Sequence, residues 1–147
     1  MTTNLHATAV VLGDRGVLIA GASGAGKTQL ALWLVSHAAA NGLFARLVAD
    51  DQLFLSAHGG RLVCTAPVAI AGLVEVRGIG PSATHHEPKV AVDLIVRLVG
   101  PADAERFPEP ATETLLGCSV PQLTLSSHDR DAAGAAVLAH LSLPPFG

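Results

Sequence analysis

Val17-Leu18-Ile19-Ala20-Gly21-Ala22-Ser23-Gly24-Ala25-Gly26-Lys27-Thr28 reads as a strand, a glycine-rich turn and the start of a helix. The four apolar residues run straight into Gly-x-x-x-x-Gly-Lys-Thr, and strong helix formers continue from residue 27 to about 40. That order is what a phosphate cradle needs. Glycines permit the dihedral angles that turn backbone N–H groups inward, and the following helix offers its N-terminus to an anion. In such a loop Lys27 reaches the β/γ-phosphates and the Thr28 hydroxyl ligates Mg²⁺. Chance produces the pattern in roughly one chain of this length per few hundred, and the flanking strand and helix narrow that further. Gly21, Ala22, Ser23, Gly24, Ala25, Gly26, Lys27 and Thr28 are the expected ATP-binding set.

Outward from the loop, the helix carries Leu30, Trp33, Leu34 and His37 at helical spacing, and Ala31, Leu32 and Val35 make it apolar almost all round. Such a helix is expected to be buried against a sheet, ending at Asn41-Gly42. Upstream, residues 8–12 (TAVVL) pair with 17–20 as a hairpin across Gly13-Asp14-Arg15-Gly16. Downstream, strand 46–49 (RLVA) ends on Asp50-Asp51, and 53–57 with 61–65 predict a second hairpin. Residues 73–76 read as a strand broken at Gly78-Ile79-Gly80-Pro81, and 90–98 as a half-buried strand that alternates cleanly. Residues 100–110 are expected as surface loop, 123–125 as a short strand and 129–140 as an Ala-rich helix with an acidic start. The whole is an α/β pattern with a mixed sheet.

The composition fits one domain over residues 1–147: half the residues are hydrophobic, only 14% are charged, and no repeat or linker is visible. A formal net charge of −3 gives no reason to expect nucleic acid or an anionic membrane as partner. Cys64 and Cys118 form no CxxC pair, so neither a metal cage nor a disulfide framework follows, and a reducing cytoplasm is expected. Nothing resembles a signal peptide or a membrane span.

Several side chains outside the loop could carry chemistry. Asp50 and Asp51, at the end of a strand beside a phosphate loop, stand where metal and γ-phosphate would lie, although Asp is equally common there as a cap. Glu75 and Arg77 are two apart and share a face; they could form a surface ion pair or hold Mg²⁺ and transferring phosphate. By itself His6 reads as a solvated residue near a terminus. His85-His86-Glu87 has consecutive ligands and no fourth partner, so it is expected to be a mobile polar loop rather than a metal site.

Together these features resemble the catalytic domain of the HPr kinase/phosphorylase family, bacterial enzymes that phosphorylate a serine of the carrier protein HPr. That family has a histidine fifteen residues before the first loop glycine, as His6 stands to Gly21. Its Gly-Lys-Ser/Thr, Val-Ala-Asp-Asp and Glu-x-Arg-Gly-x-Gly motifs correspond to Gly26-Lys27-Thr28, Val48-Ala49-Asp50-Asp51 and Glu75-Val76-Arg77-Gly78-Ile79-Gly80. The loop alone is unspecific; four anchors in order are not.

The resemblance implies a P-loop fold with a mixed sheet, similar to the nucleotide-binding fold of phosphoenolpyruvate carboxykinase. It implies an ATP-dependent protein-serine kinase, with HPr as partner and hexamers as the assembly. It makes His6 an active-site member, Asp51 the general base with Asp50 in support, Thr28 and Glu75 the Mg²⁺ ligands, and Arg106 the counterpart of a later catalytic arginine. With His6 almost at the start, the short form without the family's N-terminal domain is expected. The segment after Gly80 is shortened to PSATHHEP, and the late motif Val-Arg-Pro-Gly-Arg-Asn gives way to Ser127-His128-Asp129-Arg130-Asp131-Ala132. A kinase with little or no phosphorylase activity is therefore expected. From the residues alone, a small-molecule kinase and a non-catalytic nucleotide-binding regulator stay open.

Overall fold

In the computed structural model, which describes residues 2–147, the glycine-rich loop joins β3 (Arg15–Gly21) to α1 (Lys27–Ala40). The other elements are β1 (Thr2–Leu5), β2 (Ala7–Leu12), β4 (Ala45–Ala49), β5 (Leu53–His58), β6 (Arg61–Thr65), β7 (Leu73–Val76), β8 (Gly80–Ala83), β9 (Lys89–Val99), β10 (Ala111–Leu115), β11 (Cys118–Ser126) and α2 (Arg130–His140). The main sheet runs β1-β5-β6-β9-β3-β2-β4, and β11 pairs with the C-terminal half of β9 and carries β10. β3, β9 and β11 are parallel neighbours, whereas β2 is antiparallel to both β3 and β4. The sheet is therefore mixed. The C-terminal ends of β3, β4 and β9 open on one edge, the edge that carries the glycine-rich loop.

Both faces of the sheet are covered. On one, Val10, Leu12, Val17, Ile19, Leu94 and Val96 pack against Leu30, Leu34 and Ala38 of α1 and Val137 and Leu138 of α2. On the other, Ala9, Leu18 and Ile95 meet Leu53, Leu55, Leu62 and Cys64 of the β5–β6 hairpin. β2 and β3 are apolar on both sides for this reason, and a strand buried on both faces loses its polar alternation.

The hairpins around residues 13–14 and 59–60, the long helix and the strand before Asp50 lie where the sequence puts them. β1, β8 and β10 were not expected, and β11 is longer than the three residues read as strand. β1 and β10 are exposed edge strands with little apolar signal, so their pairing comes from open partners rather than from pattern. The clean alternation expected for 90–98 is broken. Gly16 pairs with Val92 but Val17 with Leu94, so Asp93 is an extra residue, and it moves Leu94, Val96 and Leu98 to the helix-covered face while Val92 before it lies on the other. The Asp93 carboxylate accepts hydrogen bonds from the Gly16 N–H (2.9 Å) and Arg61 (3.0 Å). Gly16 has to be glycine, because a Cβ there would lie 2.0 Å from the carbonyl oxygen of Ala91. His85-His86-Glu87 is seated against β4: His86 bridges Leu47, and the Glu87 N–H donates to the Leu47 carbonyl at 2.9 Å. Among the described residues, no helix is long and apolar enough to cross a membrane.

Candidate functional site

The loop after β3 is held open by its glycines and tied back by its lysine. Gly24 (φ 81°) and Gly26 (φ 90°) occupy the left-handed region, where a side chain is strained, and Gly26 leads directly into α1. Lys27 is buried at the first position of α1, and its Nζ donates to the carbonyls of Gly21 and Ala22, 3.1 Å each. The first-turn N–H groups of α1 and this ammonium make the loop mouth electropositive.

Asp50 closes the other side of the mouth. It is buried, and its carboxylate accepts three hydrogen bonds: Oδ1 from Thr28 Oγ1 at 2.6 Å and Thr8 Oγ1 at 3.3 Å, and Oδ2 from the Glu75 backbone N–H at 3.1 Å. One carboxylate thereby ties together α1, β2, β4 and β7. Its placement depends on a β-bulge. β2 pairs Ala9 with Ala49 but Val10 with Leu47, so Val48 is an extra residue just before the acid pair.

Asp51 differs in every respect. It is exposed, and among the described residues its carboxylate has no hydrogen-bond partner. Its backbone is left-handed (φ 63°), and the Gln52 N–H reaches back to the Asp50 carbonyl at 2.8 Å. That is a three-residue turn with Asp51 at its apex, a rare and strained form when the central φ is positive. Strain of this kind persists only where the surroundings enforce it. Here the Asp51 N–H donates to Thr8 Oγ1 at 3.1 Å.

Not every expected residue joins this cluster. His6 sits at the bend between β1 and β2, one residue before the Ala7–Ala20 pair, and is exposed. Glu75 approaches through its backbone while its side chain is exposed, and Arg77 follows β7, also exposed. Arg106 lies on the exposed loop after β9, its guanidinium 5.6 Å from the ring centre of Phe107, and among the described residues it makes no hydrogen bond to the loop or the acids. In the late segment Asp129 caps α2 by accepting from the Ala132 N–H at 3.0 Å, and Asp131 lies 4.0 Å from Arg130.

The donors at the mouth are hydroxyl and carboxylate oxygens, which suit a hard cation. No group of three His, Cys, Asp or Glu among the described residues forms a metal cage. A cation here would complete its shell with water and ligand oxygens, the habit of Mg²⁺.

A family model described as the HPr serine kinase C-terminal domain matches residues 1–129. The chain belongs to that family. The HPr kinase/phosphorylase of Exiguobacterium sibiricum is 46% identical over 80 residues, 54% of this chain and 24% of that protein. That of Clostridium tetani is 38% identical over 78 residues, 53% of this chain and 24% of that protein. The alignments thus span about a quarter of the length of these curated relatives. Among solved structures, the HPr(Ser) kinase/phosphatase from Coxiella burnetii superposes with a TM-score of 0.80 at 26% identity, over 95% of this chain and 96% of that one. The α/β fold with its mixed sheet is that of an HPr kinase structure.

Within this HPr kinase family domain, Thr28, Asp50 and the backbone of Glu75 meet through direct hydrogen bonds, although they are 22 and 25 residues apart in sequence. Thr8 is the participant that sequence reasoning passed over. The signal was one hydroxyl inside the apolar run TAVVL, which by itself is also an ordinary strand residue.

Proposed function

We propose that this chain transfers the γ-phosphoryl group of ATP to a serine hydroxyl of an HPr-type phosphocarrier protein. The scaffold is read as a P-loop domain like the nucleotide-binding fold of phosphoenolpyruvate carboxykinase. The observation that carries this is the 2.6 Å hydrogen bond from Thr28 to a buried Asp50, with the exposed Asp51 carboxylate one residue further on. Phosphoryl transfer needs such a division, one acid that orders the cation-side hydroxyl and another free to take a proton.

Mg²⁺ fits the oxygen donors of the mouth; Thr28 and Glu75 would hold it, and it would neutralise charge on the β- and γ-phosphate oxygens. The chain supplies the rest. Lys27 exchanges its two carbonyl partners for phosphate oxygens, alongside the N–H groups of the loop and of the first turn of α1. Asp51 accepts the proton of the serine Oγ as the Oγ–P bond forms and the bond to the β-phosphate oxygen breaks, with the electron pair leaving on ADP. Asp50 keeps the Thr28 hydroxyl aimed. Arg77 steadies developing charge, and His6 and Arg106 complete the set.

The reading includes little phosphorylase activity, since phosphorolysis needs cationic donors for a second anion and the late segment pairs its one arginine with Asp131. A cytoplasmic homo-oligomer, hexameric on the family pattern, belongs to the same proposal. The test is radiolabelled Mg·ATP with the purified chain and candidate HPr-type proteins; label on serine is the expected result. Label on a small-molecule hydroxyl, or binding of ATP with no turnover for any acceptor, would replace this reading by a small-molecule kinase or a nucleotide-binding regulator.

A further inference from the structure

Thr8 is wholly buried in β2, its hydroxyl both donates and accepts, and both bonds go to the acid pair. It donates to Asp50 Oδ1 at 3.3 Å and accepts the Asp51 backbone N–H at 3.1 Å. A single oxygen therefore touches the side chain of the acid that holds Thr28 and the main chain of the acid at the apex of the strained turn. A strained φ relaxes unless something opposes it, and this hydrogen bond comes from outside the turn, from a strand 43 residues away in sequence. β2 is itself rigid, paired on both edges and buried on both faces. Only a hydroxyl can donate and accept at once from this position; valine has the same shape and does neither.

We propose that Thr8 is a positioning residue that locks the Asp50-Asp51 turn, keeping Asp50 on Thr28 and Asp51 left-handed with its carboxylate free. Its role in turnover rests on the phosphotransfer reading above; the lock itself does not. Thr8→Val removes the hydroxyl at constant shape, Thr8→Ser restores it without the methyl group, and Thr8→Ala repeats the test should the valine methyl crowd Asp50. Each variant is first checked for cooperative thermal unfolding.

With Mg·ATP and the protein acceptor, Thr8→Val lowers kcat by about 10- to 100-fold, the scale of a misplaced reacting group. KM for ATP changes less than kcat, because Lys27 and the N–H groups of the glycine-rich loop keep their places while only the Asp50 side of the mouth is disturbed, and Thr8→Ser recovers most of the rate. A second readout needs no turnover: amide hydrogen exchange at Asp51, followed by NMR, is faster in Thr8→Val and slow again in Thr8→Ser. Unchanged exchange at Asp51 overturns the lock, whether or not the wild-type protein phosphorylates anything. A wild-type rate in Thr8→Val, or equal losses in Thr8→Val and Thr8→Ser, overturns the role in turnover. If the wild-type chain transfers no phosphate while the exchange result holds, the kinase reading fails and the lock stands.

Discussion

Asp50 and Asp51 are chemically identical neighbours, and the structure gives them opposite energetics, which truncation should expose. In Asp50→Ala three donors lose their acceptor: the hydroxyls of Thr8 and Thr28 and the Glu75 N–H. A hydrogen bond to a charged group contributes about 1.5–3 kcal/mol, and a buried donor left unpaired costs about 1–3 kcal/mol. Thr28 is only half-buried and can turn to water, Glu75 is an exposed residue, and the bond from the buried Thr8 is long at 3.3 Å, so each of the three contributes a part of the full value. Relief of the buried carboxylate's own desolvation offsets some of this, which leaves a net loss of about 2–4 kcal/mol. Asp51→Gly removes an exposed side chain with no hydrogen bond among the described residues and relieves φ 63°, so stability changes by less than about 1 kcal/mol and in the favourable direction. Urea unfolding without nucleotide reads the difference. With m near 1–3 kcal/mol/M for a small domain, Asp50→Ala should move the midpoint down by about 1–2 M while Asp51→Gly stays near wild type. Equal shifts, or a larger loss in Asp51→Gly, would refute the division between a holding acid and a free one.

Four further outcomes are expected. Lys27→Ala should abolish phosphotransfer while the domain stays folded, although the loss of two bonds to loop carbonyls should loosen the loop; labelled-phosphate transfer and circular dichroism check both. Asp51→Asn should still bind Mg·ATP but lose about 10²- to 10⁴-fold in rate, the usual value of a general base; loss in Asp50→Asn alone would reverse the two roles. Given serine-phosphorylated HPr, millimolar phosphate and no ATP, the chain should release little HPr or pyrophosphate, because Asp129 caps α2 and Asp131 faces Arg130; turnover matching the forward reaction would contradict that. Burial pushes the Cys64 thiol from 9.0 up to about 12, so iodoacetamide at pH 8 should leave it unmodified until urea is added. The same shift means that its contribution to stability is full below pH 9 and is lost as the pH rises towards 12, since the unfolded thiol ionises first; mass spectrometry and alkaline unfolding curves read the two effects.

The glycine-rich loop was legible because its information is local. Gly24 and Gly26 are needed for positive φ, the preceding strand and following helix each show their own periodicity, and all three lie within residues 17–40. The acid pair was visible for the same reason, as two carboxylates directly after an apolar strand, and so was the acidic start of α2, where Asp129 turns out to be the cap. What one-dimensional pattern could not carry was which acid is buried. That depends on the extra residue Val48, on the pairing of β4 with β2, and on β7 delivering the Glu75 N–H across 25 residues of chain. The bulge at Asp93 likewise turned a run that alternates in sequence into one that changes face in the sheet. Thr8 shows the limit most clearly. In sequence it is one β-branched residue in a strand, where its hydroxyl has no meaning. In the folded chain, register alone sets that oxygen between Asp50 and Asp51. Local propensity decided which residues form the loop, the helix and the strands; long-range pairing decided which side chains meet, because a hydrogen bond depends on distance in space and not on separation along the chain.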